Sequence, residues 1–293
     1  MDALSDDGRH GLTLIAFLGN VFSPYYAWAR RRGRGDPLHH CAVNAVLYGP
    51  GRRKRWALTE RGRGSAVQER ATLAIGSSAL AWDGDALTVQ LDEVTVPIPT
   101  RLRGEVRLHP AALADRTVLL DAEGRHRWSP IAPCARVEVA LDSPALRWSG
   151  AGYFDTNAGS GPLEDAFTAW HWSRASGDGR RGATVLYDVE RRDGGKLAVA
   201  LAMDAAGRVR DLEPPPRVSL PRTRWGVDRA TRADAAATVE RTLEDTPFYA
   251  RSVLDSRLGG ERVGMVHESL SLDRVRAPWV QAMLPFRMPR ALR

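Results

Sequence analysis

The chain has 293 residues, 43% of them hydrophobic, and a formal net charge of +7. That length suits one large domain or two ordinary ones, with enough apolar residues for a real core. It holds no apolar run of the roughly 20 residues a membrane helix needs, and its two cysteines, Cys41 and Cys134, are too few and too far apart for a disulfide framework or a zinc site.

The first apolar stretch, Gly11–Val21, is too short to span a bilayer and follows an acidic start without the basic region of a secretory signal. A soluble or peripheral, cytoplasmic protein is expected. Phe22, Tyr25, Tyr26 and Trp28 come directly before Arg30–Arg32. Aromatics beside arginines suit contact with an anionic membrane surface; a core strand followed by a charged turn fits equally well. The basic residues are dense at Arg30–Arg32 with Arg34 and again from Arg52 to Arg55, and all but Lys54 and Lys196 of the 42 are arginines. Solvated loops in an arginine-rich bacterial chain are the preferred reading of both clusters. Nucleic acid is not expected as a partner, for no zinc-finger spacing, RNP-type strand or helix-turn-helix pattern occurs.

Strand-like alternation follows. Leu87, Val89 and Leu91 form one series, Leu102, Val106 and Leu108 a second, Val137, Val139 and Leu141 a third, and Leu197, Val199, Leu201 and Met203 a fourth, each interleaved largely with polar or small residues. One side of each would face a core and the other water, as in antiparallel sheets. Turn chemistry separates such runs at Asp83-Gly84, Glu123-Gly124, Gly194-Gly195, Ala206-Gly207 and Gly259-Gly260. The alanines of Arg229–Leu243 allow a helix there. The pattern predicts an all-β chain of sandwich or barrel type, with a boundary near Pro162 dividing residues 1–162 from 163–293.

The segment Gly152–Phe167, GYFDTNAGSGPLEDAF, follows a strand-like run. It carries an aromatic, a lone carboxylic acid and a glycine-rich turn, and Trp170 and Trp172 come just after it. An acid beside aromatic walls suits the protonation of something apolar. Asp155 could equally brace a turn with Asn157-Ala158-Gly159. Tyr153 alone fits core packing, His126 alone an exposed loop after Glu123-Gly124, and Trp170 and Trp172 core or pocket wall. No G-x-S-x-G elbow, Walker A sequence, G-x-G-x-x-G after a strand or H-E-x-x-H occurs. The adjacent His39-His40 pair is poor metal geometry on a strand. No cofactor is expected.

Ser5–Gly33 (SDDGRHGLTLIAFLGNVFSPYYAWARRRG), Gly152–Phe167, WHWSR at Trp170–Arg174, and the later TPFYARS and HESLSLDR segments together resemble the carotenoid 1,2-hydratases, also called hydroxyneurosporene synthases, of phototrophic bacteria. The matching segments are spread over nearly the whole chain. The resemblance implies a relation to two-domain lipocalin-like proteins, hence two antiparallel β-barrels or strongly curved sheets in tandem. It also implies catalytic roles for His126 and Trp128, two apart in GRHRW, and for Tyr153 and Asp155, two apart in GYFDTN. On strands that spacing puts both members of a pair on one face. Trp170 and Trp172 would line the substrate site. Such hydratases commonly carry a glycine- and tryptophan-rich segment before the part that here begins Asp2-Ala3-Leu4-Ser5, so a late-assigned start, or a missing first strand that leaves an open barrel edge, is expected.

The implied substrates are an acyclic carotenoid such as neurosporene or lycopene, and water. Protonation of the terminal trisubstituted alkene gives a tertiary carbocation, which water captures. Asp155 is the expected acid. A free aspartate has a pKa of about 3.9, and an apolar pocket raises it by penalising the charged form. Trp128 and Tyr153 would offer ring faces to the cation; His126 would hold the water, accept its proton or orient Asp155. A polyene cyclase or a non-catalytic carotenoid carrier on the same scaffold are the competing readings. A bilayer-soluble substrate implies peripheral association with the inner or intracytoplasmic membrane.

Overall fold

The computed structural model describes residues 1–51, 53–176 and 182–291. Strands dominate, as the alternation predicts. The chain opens with β1 (Asp2–Ser5), β2 (Gly11–Phe17), helix α1 (Pro24–Arg31), β3 (Cys41–Tyr48) and β4 (Lys54–Arg61). A meander follows through β5 (Ala66–Gln68), β6 (Thr72–Ile75), β7 (Ser78–Trp82), β8 (Leu87–Val94) and β9 (Arg101–Pro110). After the short β10 (Val118–Leu119) come two long strands, β11 (His126–Ser143) and β12 (Ala145–Gly159). The one-turn helix α2 (Leu163–Ala166) leads to β13 (Phe167–Ser176), β14 (Ala183–Arg191), β15 (Lys196–Met203) and β16 (Val209–Asp211). The chain continues through β17 (Arg217–Leu220), β18 (Arg229–Arg232), β19 (Thr238–Asp245), β20 (Tyr249–Leu258) and β21 (Glu261–Ser271), then α3 (Leu272–Arg276) and α4 (Pro278–Met283).

One sheet, nearly closed into a barrel, runs β4-β3-β2-β1-β12-β11-β9-β8-β7-β6-β5, with β10 paired to β11. A second runs β16-β15-β14-β13-β21-β20-β19, and β17 and β18 form a separate hairpin. Contacts divide the chain into two compact units. The first comprises Met1–Pro110, Ala135–Phe154 and Gln281–Arg293, the second Ala111–Cys134 and Asp155–Val280. A division at 162/163 follows sequence order, whereas these groupings interleave along the chain, because β11 and β12 each continue from one unit into the other.

The core of the first unit is written in three cross-strand rows. Leu87 pairs with Leu108 and Leu108 with Val137; Val89 pairs with Val106 and Val106 with Val139. All six are at most 8% exposed, and burying each contributes about 1.5–3 kcal/mol. In the third row Leu91 and Leu141 flank Gly104. Gly104 has φ +146, and a Cβ there would lie 2.5 Å from the Ala140 carbonyl oxygen and the Leu141 Cα. The ladder slips at this point, between Leu141 and Ser143, so the close approach of the bulged strand leaves room only for glycine.

Two expectations differ from the structure. Arg229–Leu243 is not a helix: β18 and the start of β19 occupy it, since Ala230 and Thr231 are buried and alternation with β-branched neighbours outweighs alanine's helix preference. The stretch around Trp28 is neither strand nor turn but α1, started by Ser23, whose side chain accepts from the Tyr26 N–H, and by Pro24 in the first turn. Two of its aromatics have partners inside the first unit: Phe22 meets Phe17 edge-on at 6.1 Å and Tyr26 stacks on His40 at 4.7 Å. Arg52 lies outside the described residues. Cys41 is buried, Cys134 half-buried, and both are free. Among the described residues no helix is long and apolar enough to cross a membrane.

Beside an apolar cluster of Ala175, Leu186, Ala200, Leu220, Leu254 and Met265, the second unit buries a polar network. His171 Nδ1 lies 2.8 Å from Ser269 Oγ, His267 joins Ser269 and Ser173 at 2.9 and 3.0 Å, and Ser173 reaches Thr231 at 2.8 Å. Burial, reinforced by the positive charge of Arg217, pushes His171 down to about 4. Burial drives His267 well below its ordinary value, with His171 and Arg229 adding to the effect. The unfolded chain takes up these protons near pH 6.5 and the folded chain does not, so stability falls as pH drops below about 6.5, and the His171 share of the loss levels off near 4. Denaturant titrations across that window are expected to show His171 alone accounting for about 3 kcal/mol of the loss, and His171→Gln to flatten the curve.

Candidate active site

Three of the four expected catalytic residues come together in the second unit. His126 begins β11 and Trp128 follows two residues later; both are buried, at 2% and 1% exposure. Val118 of β10 pairs with Trp128 and holds this end of the strand in register. Asp155 lies on β12, half-buried, and the Trp128 indole Nε1–H donates to its Oδ2 at 2.7 Å. The segment Gly152–Gly159 is strand rather than turn, so Asp155 does not brace a loop; its backbone runs in the sheet and its side chain accepts from Trp128. Tyr153 belongs to the first unit, where it is 1% exposed and paired in register with Asp2. It stands two residues before Asp155 on the same strand.

His126 is not an exposed loop residue. Its Nδ1 lies 2.7 Å from Asp121 Oδ2 and its Nε2 3.2 Å from the Gly161 carbonyl oxygen. Both partners are acceptors, so a neutral ring can donate to only one of them, and a ring protonated on both nitrogens donates to both. The other Asp121 oxygen accepts the backbone N–H groups of Arg125 and His126, at 2.7 and 3.3 Å. Burial alone would raise the Asp121 carboxyl, but the hydrogen bonds from the His126 ring and from these amides outweigh it and hold the group below the usual carboxylate range.

Aromatic rings join the two ends of this cluster. His126 meets Phe167 edge-on at 5.0 Å, Phe167 meets Trp170 at 6.4 Å, Trp170 meets Tyr187 at 6.3 Å, and Tyr187 meets Trp128 at 5.5 Å. Phe167 can join because the β13–β14 ladder slips between Phe167 and Ala169, which changes its place in the strand's alternation. Trp170 and Trp172 share one face of β13, and Trp172 pairs with Tyr187 across to β14. Burial pushes the Tyr187 phenol well above its ordinary value, and Asp155 adds to this at the high pH where both would be ionised, so Tyr187 stays protonated. The same face carries the ion pair of Arg251 with Glu268, and Glu268 also acts on Tyr187. Asp121, Phe167 and Tyr187 escaped the sequence reading. The signals were an aspartate closing a tight turn five residues before His126, and aromatics at positions that also read as core.

A curved, lipocalin-like β-protein whose second unit holds a carboxyl group tied to an indole, beside a ring of aromatics and an Asp–His pair, has the groups to move a proton in apolar surroundings. The comparisons narrow that class. The family model described as "Carotenoid hydratase CrtC" matches residues 14–293, and the chain belongs to that family. It is 58% identical to the acyclic carotenoid 1,2-hydratase of Thiocapsa roseopersicina over 293 residues, covering 99% of this chain and 72% of that protein. It is 51% identical to the enzyme of the same description from Rubrivivax gelatinosus over 294 residues, again covering 99% and 72%. Among solved structures, a Nitrosomonas europaea protein assigned as AttH has the same fold, with a TM-score of 0.61 at 14% identity over 92% of this chain and 89% of that one.

Gly159 makes the site's tightest demand. A Cβ there would stand 2.6 Å from His126 Cδ2, and the ring is fixed by Asp121, Gly161 and Phe167. Gly159→Ala is expected to turn His126 out of line with Asp121 while leaving the fold intact. A crystal structure of the variant, or the His126 imidazole signals by NMR, checks this; an unmoved ring would mean that the strand end yields instead.

Proposed function

We propose that this chain adds water across the terminal C1–C2 double bond of an acyclic carotenoid, and that Asp155 is the acid that starts the reaction. Its family and its relatives carry the first part of that reading. The single observation behind the second is the 2.7 Å hydrogen bond from Trp128 to Asp155 Oδ2 amid aromatic rings.

The chemistry runs in three steps. The Trp128 N–H occupies Oδ2, which puts the transferable proton of Asp155 on Oδ1. That proton passes to C2 of the alkene; the π pair forms the new C–H bond and leaves a tertiary cation at C1. The faces of Trp128, Tyr187 and Trp170 stabilise the cation, each by roughly 0.5–2 kcal/mol. Water attacks C1 and loses a proton, giving a tertiary alcohol. His126 takes that proton on Nε2. Asp121 holds the Nδ1–H, and the imidazolium so formed has an acceptor for each N–H, Asp121 on one side and the Gly161 carbonyl on the other. His126 then passes its proton to Asp155, directly or by releasing it to solvent while Asp155 takes one up, so both groups are restored and no net charge accumulates.

Tyr153, on the same face of β12 as Asp155, is the acid's aromatic neighbour in this reading. Trp170 and Trp172 act as walls along the polyene. Neurosporene and lycopene are the substrates that fit the chemistry. Both dissolve in lipid rather than water, so the protein works in contact with a bilayer, peripherally and from the cytoplasmic side.

Purified protein incubated anaerobically with lycopene in detergent should yield a product heavier by one water. Asp155→Asn should lower turnover by at least about 10³-fold while carotenoid binding, read from the shift of its visible spectrum, is retained. Trp128→Phe, which keeps a ring but removes the N–H, should fall between that variant and the parent. Substantial turnover in Asp155→Asn would remove Asp155 from the acid role, and carotenoid bound but unchanged by the parent would favour a carrier.

A further inference from the structure

Within the first unit, α1 and the C-terminal segment form a surface that the reaction does not explain. A groove of about 390 Å³ is lined by Pro24, Tyr25, Trp28 and Arg31 on one side and by Gln281 and Pro285 on the other. The apolar groups at its rim face water: Trp28 is 52% exposed, Met283 39% and Phe286, next after Pro285, 80%. The Arg32 guanidinium lies 3.8 Å over the Trp28 ring. Arg31, Arg32, Arg34 and Arg287 are exposed, and neither Phe22–Gly35 nor Gln281–Ala291 contains a carboxylate.

The tail is pinned rather than frayed. Arg290 pairs with the fully buried Glu60, and its Nη2 donates to the His39 carbonyl oxygen at 2.9 Å. Main-chain hydrogen bonds tie Glu60 to Pro289 and Ala291 at 2.9 and 2.8 Å. Met288, two residues past Phe286, is 2% exposed, with Asn20 Nδ2 lying 3.7 Å from its sulfur. A phenylalanine held outward between such anchors is presented to something. Large aromatics and a thioether next to exposed guanidinium groups, with no acid among them, match the boundary between acyl chains and anionic headgroups.

We propose that this face docks on an anionic lipid surface. Trp28, Phe286 and Met283 enter the headgroup–acyl boundary, and Arg31, Arg32, Arg34 and Arg287 meet lipid phosphates. The inference rests on the reading of the substrate as a bilayer-dissolved carotenoid, and it adds the residues that bring the chain to it.

Flotation with protein-free vesicles of phosphatidylcholine, with and without roughly a third phosphatidylglycerol, tests this. The parent should bind the anionic vesicles and release them as salt rises. Trp28→Ser and Phe286→Ser should each weaken binding about tenfold, and Arg31→Gln with Arg32→Gln should remove the preference for anionic lipid. Thermal melts confirm that each variant folds. The aromatic variants should hydrate detergent-dispersed carotenoid like the parent and lose rate only on vesicle-embedded substrate. A parent that docks but hydrates neither form would sink the functional reading and leave the docking surface standing. Equal binding by parent and Trp28→Ser/Phe286→Ser, or binding only to native membranes that contain protein, would overturn the docking surface; the latter would point to a protein partner.

Discussion

An alkene is so weak a base that the group protonating it must hold a proton at neutral pH and give it up on contact. In the role proposed for Asp155, its hydrogen bond from Trp128 bears on both demands. A donor facing a carboxyl favours its charged form, while apolar, ring-lined surroundings favour the neutral one. An indole is the mildest strong anchor available: one neutral N–H with fixed direction. It orients the carboxyl without supplying a full positive charge. The contrast lies elsewhere in the same chain, where Arg136 grips Asp6 through two nitrogens and holds that carboxyl below its usual range. A guanidinium in place of the Trp128 indole would set a full positive charge against Asp155 and favour its charged form.

Such an arrangement needs two strands long enough to hold register while carrying reactive groups at their ends. β11 is 18 residues and β12 is 15. Their middle portions, around Val137, Val139 and Gly150, are locked into the first unit's sheet. Their far ends present Trp128 and Asp155 to the second unit's aromatics. Backbone pairing therefore fixes where Asp155 and its indole donor stand before any side chain is placed. The same logic explains Gly159. At the end of β12 the strand passes so close to the His126 ring that no side chain fits, so the position of the histidine is set by a residue that has none.

Much of this was legible in the sequence, and the exceptions have physical causes. The rows Leu87–Leu108–Val137 and Val89–Val106–Val139 announce themselves by period-two alternation, because each strand has a wet side and a dry side. His126, Trp128 and Asp155 were reached through resemblance, not pattern: their spacing of two predicts a shared face and says nothing about which strands pair. Asp121 was overlooked because an aspartate before Glu123-Gly124 looks like turn chemistry, and it is that too, taking two main-chain N–H groups with the oxygen that does not face His126. Phe167 was hidden by a bulge that moves it out of its strand's alternation. Helix α1 was missed because Tyr25, Tyr26 and Trp28 have little helix preference; its start is set by Ser23 and Pro24 instead.

The arginines illustrate how composition misleads until geometry sorts it. Some pair with carboxylates on the adjacent strand, among them Arg101 with Asp92 across β9 and β8 and Arg262 with Asp255 across β21 and β20, while Arg217 with Glu190 and Arg232 with the buried Asp188 tie the β17–β18 hairpin to β14. A sheet makes such pairs natural, since the nearest neighbours of a side chain sit on the next strand. Exposed pairs of this kind contribute little, about 0–1 kcal/mol each, yet the two-pronged fork of Arg101 on both oxygens of Asp92 sets direction in a way a lysine would not. Their effect on charge is larger than their effect on stability. Because strand arginines are paired in this way, less of the net charge of +7 falls to them and more to segments without carboxylates. The stretch from α1 to Gly35 and the pinned tail are two such segments, and they are also where aromatic rings stand in water. Part of the protein's positive charge is thus gathered on a face that also carries exposed aromatic rings.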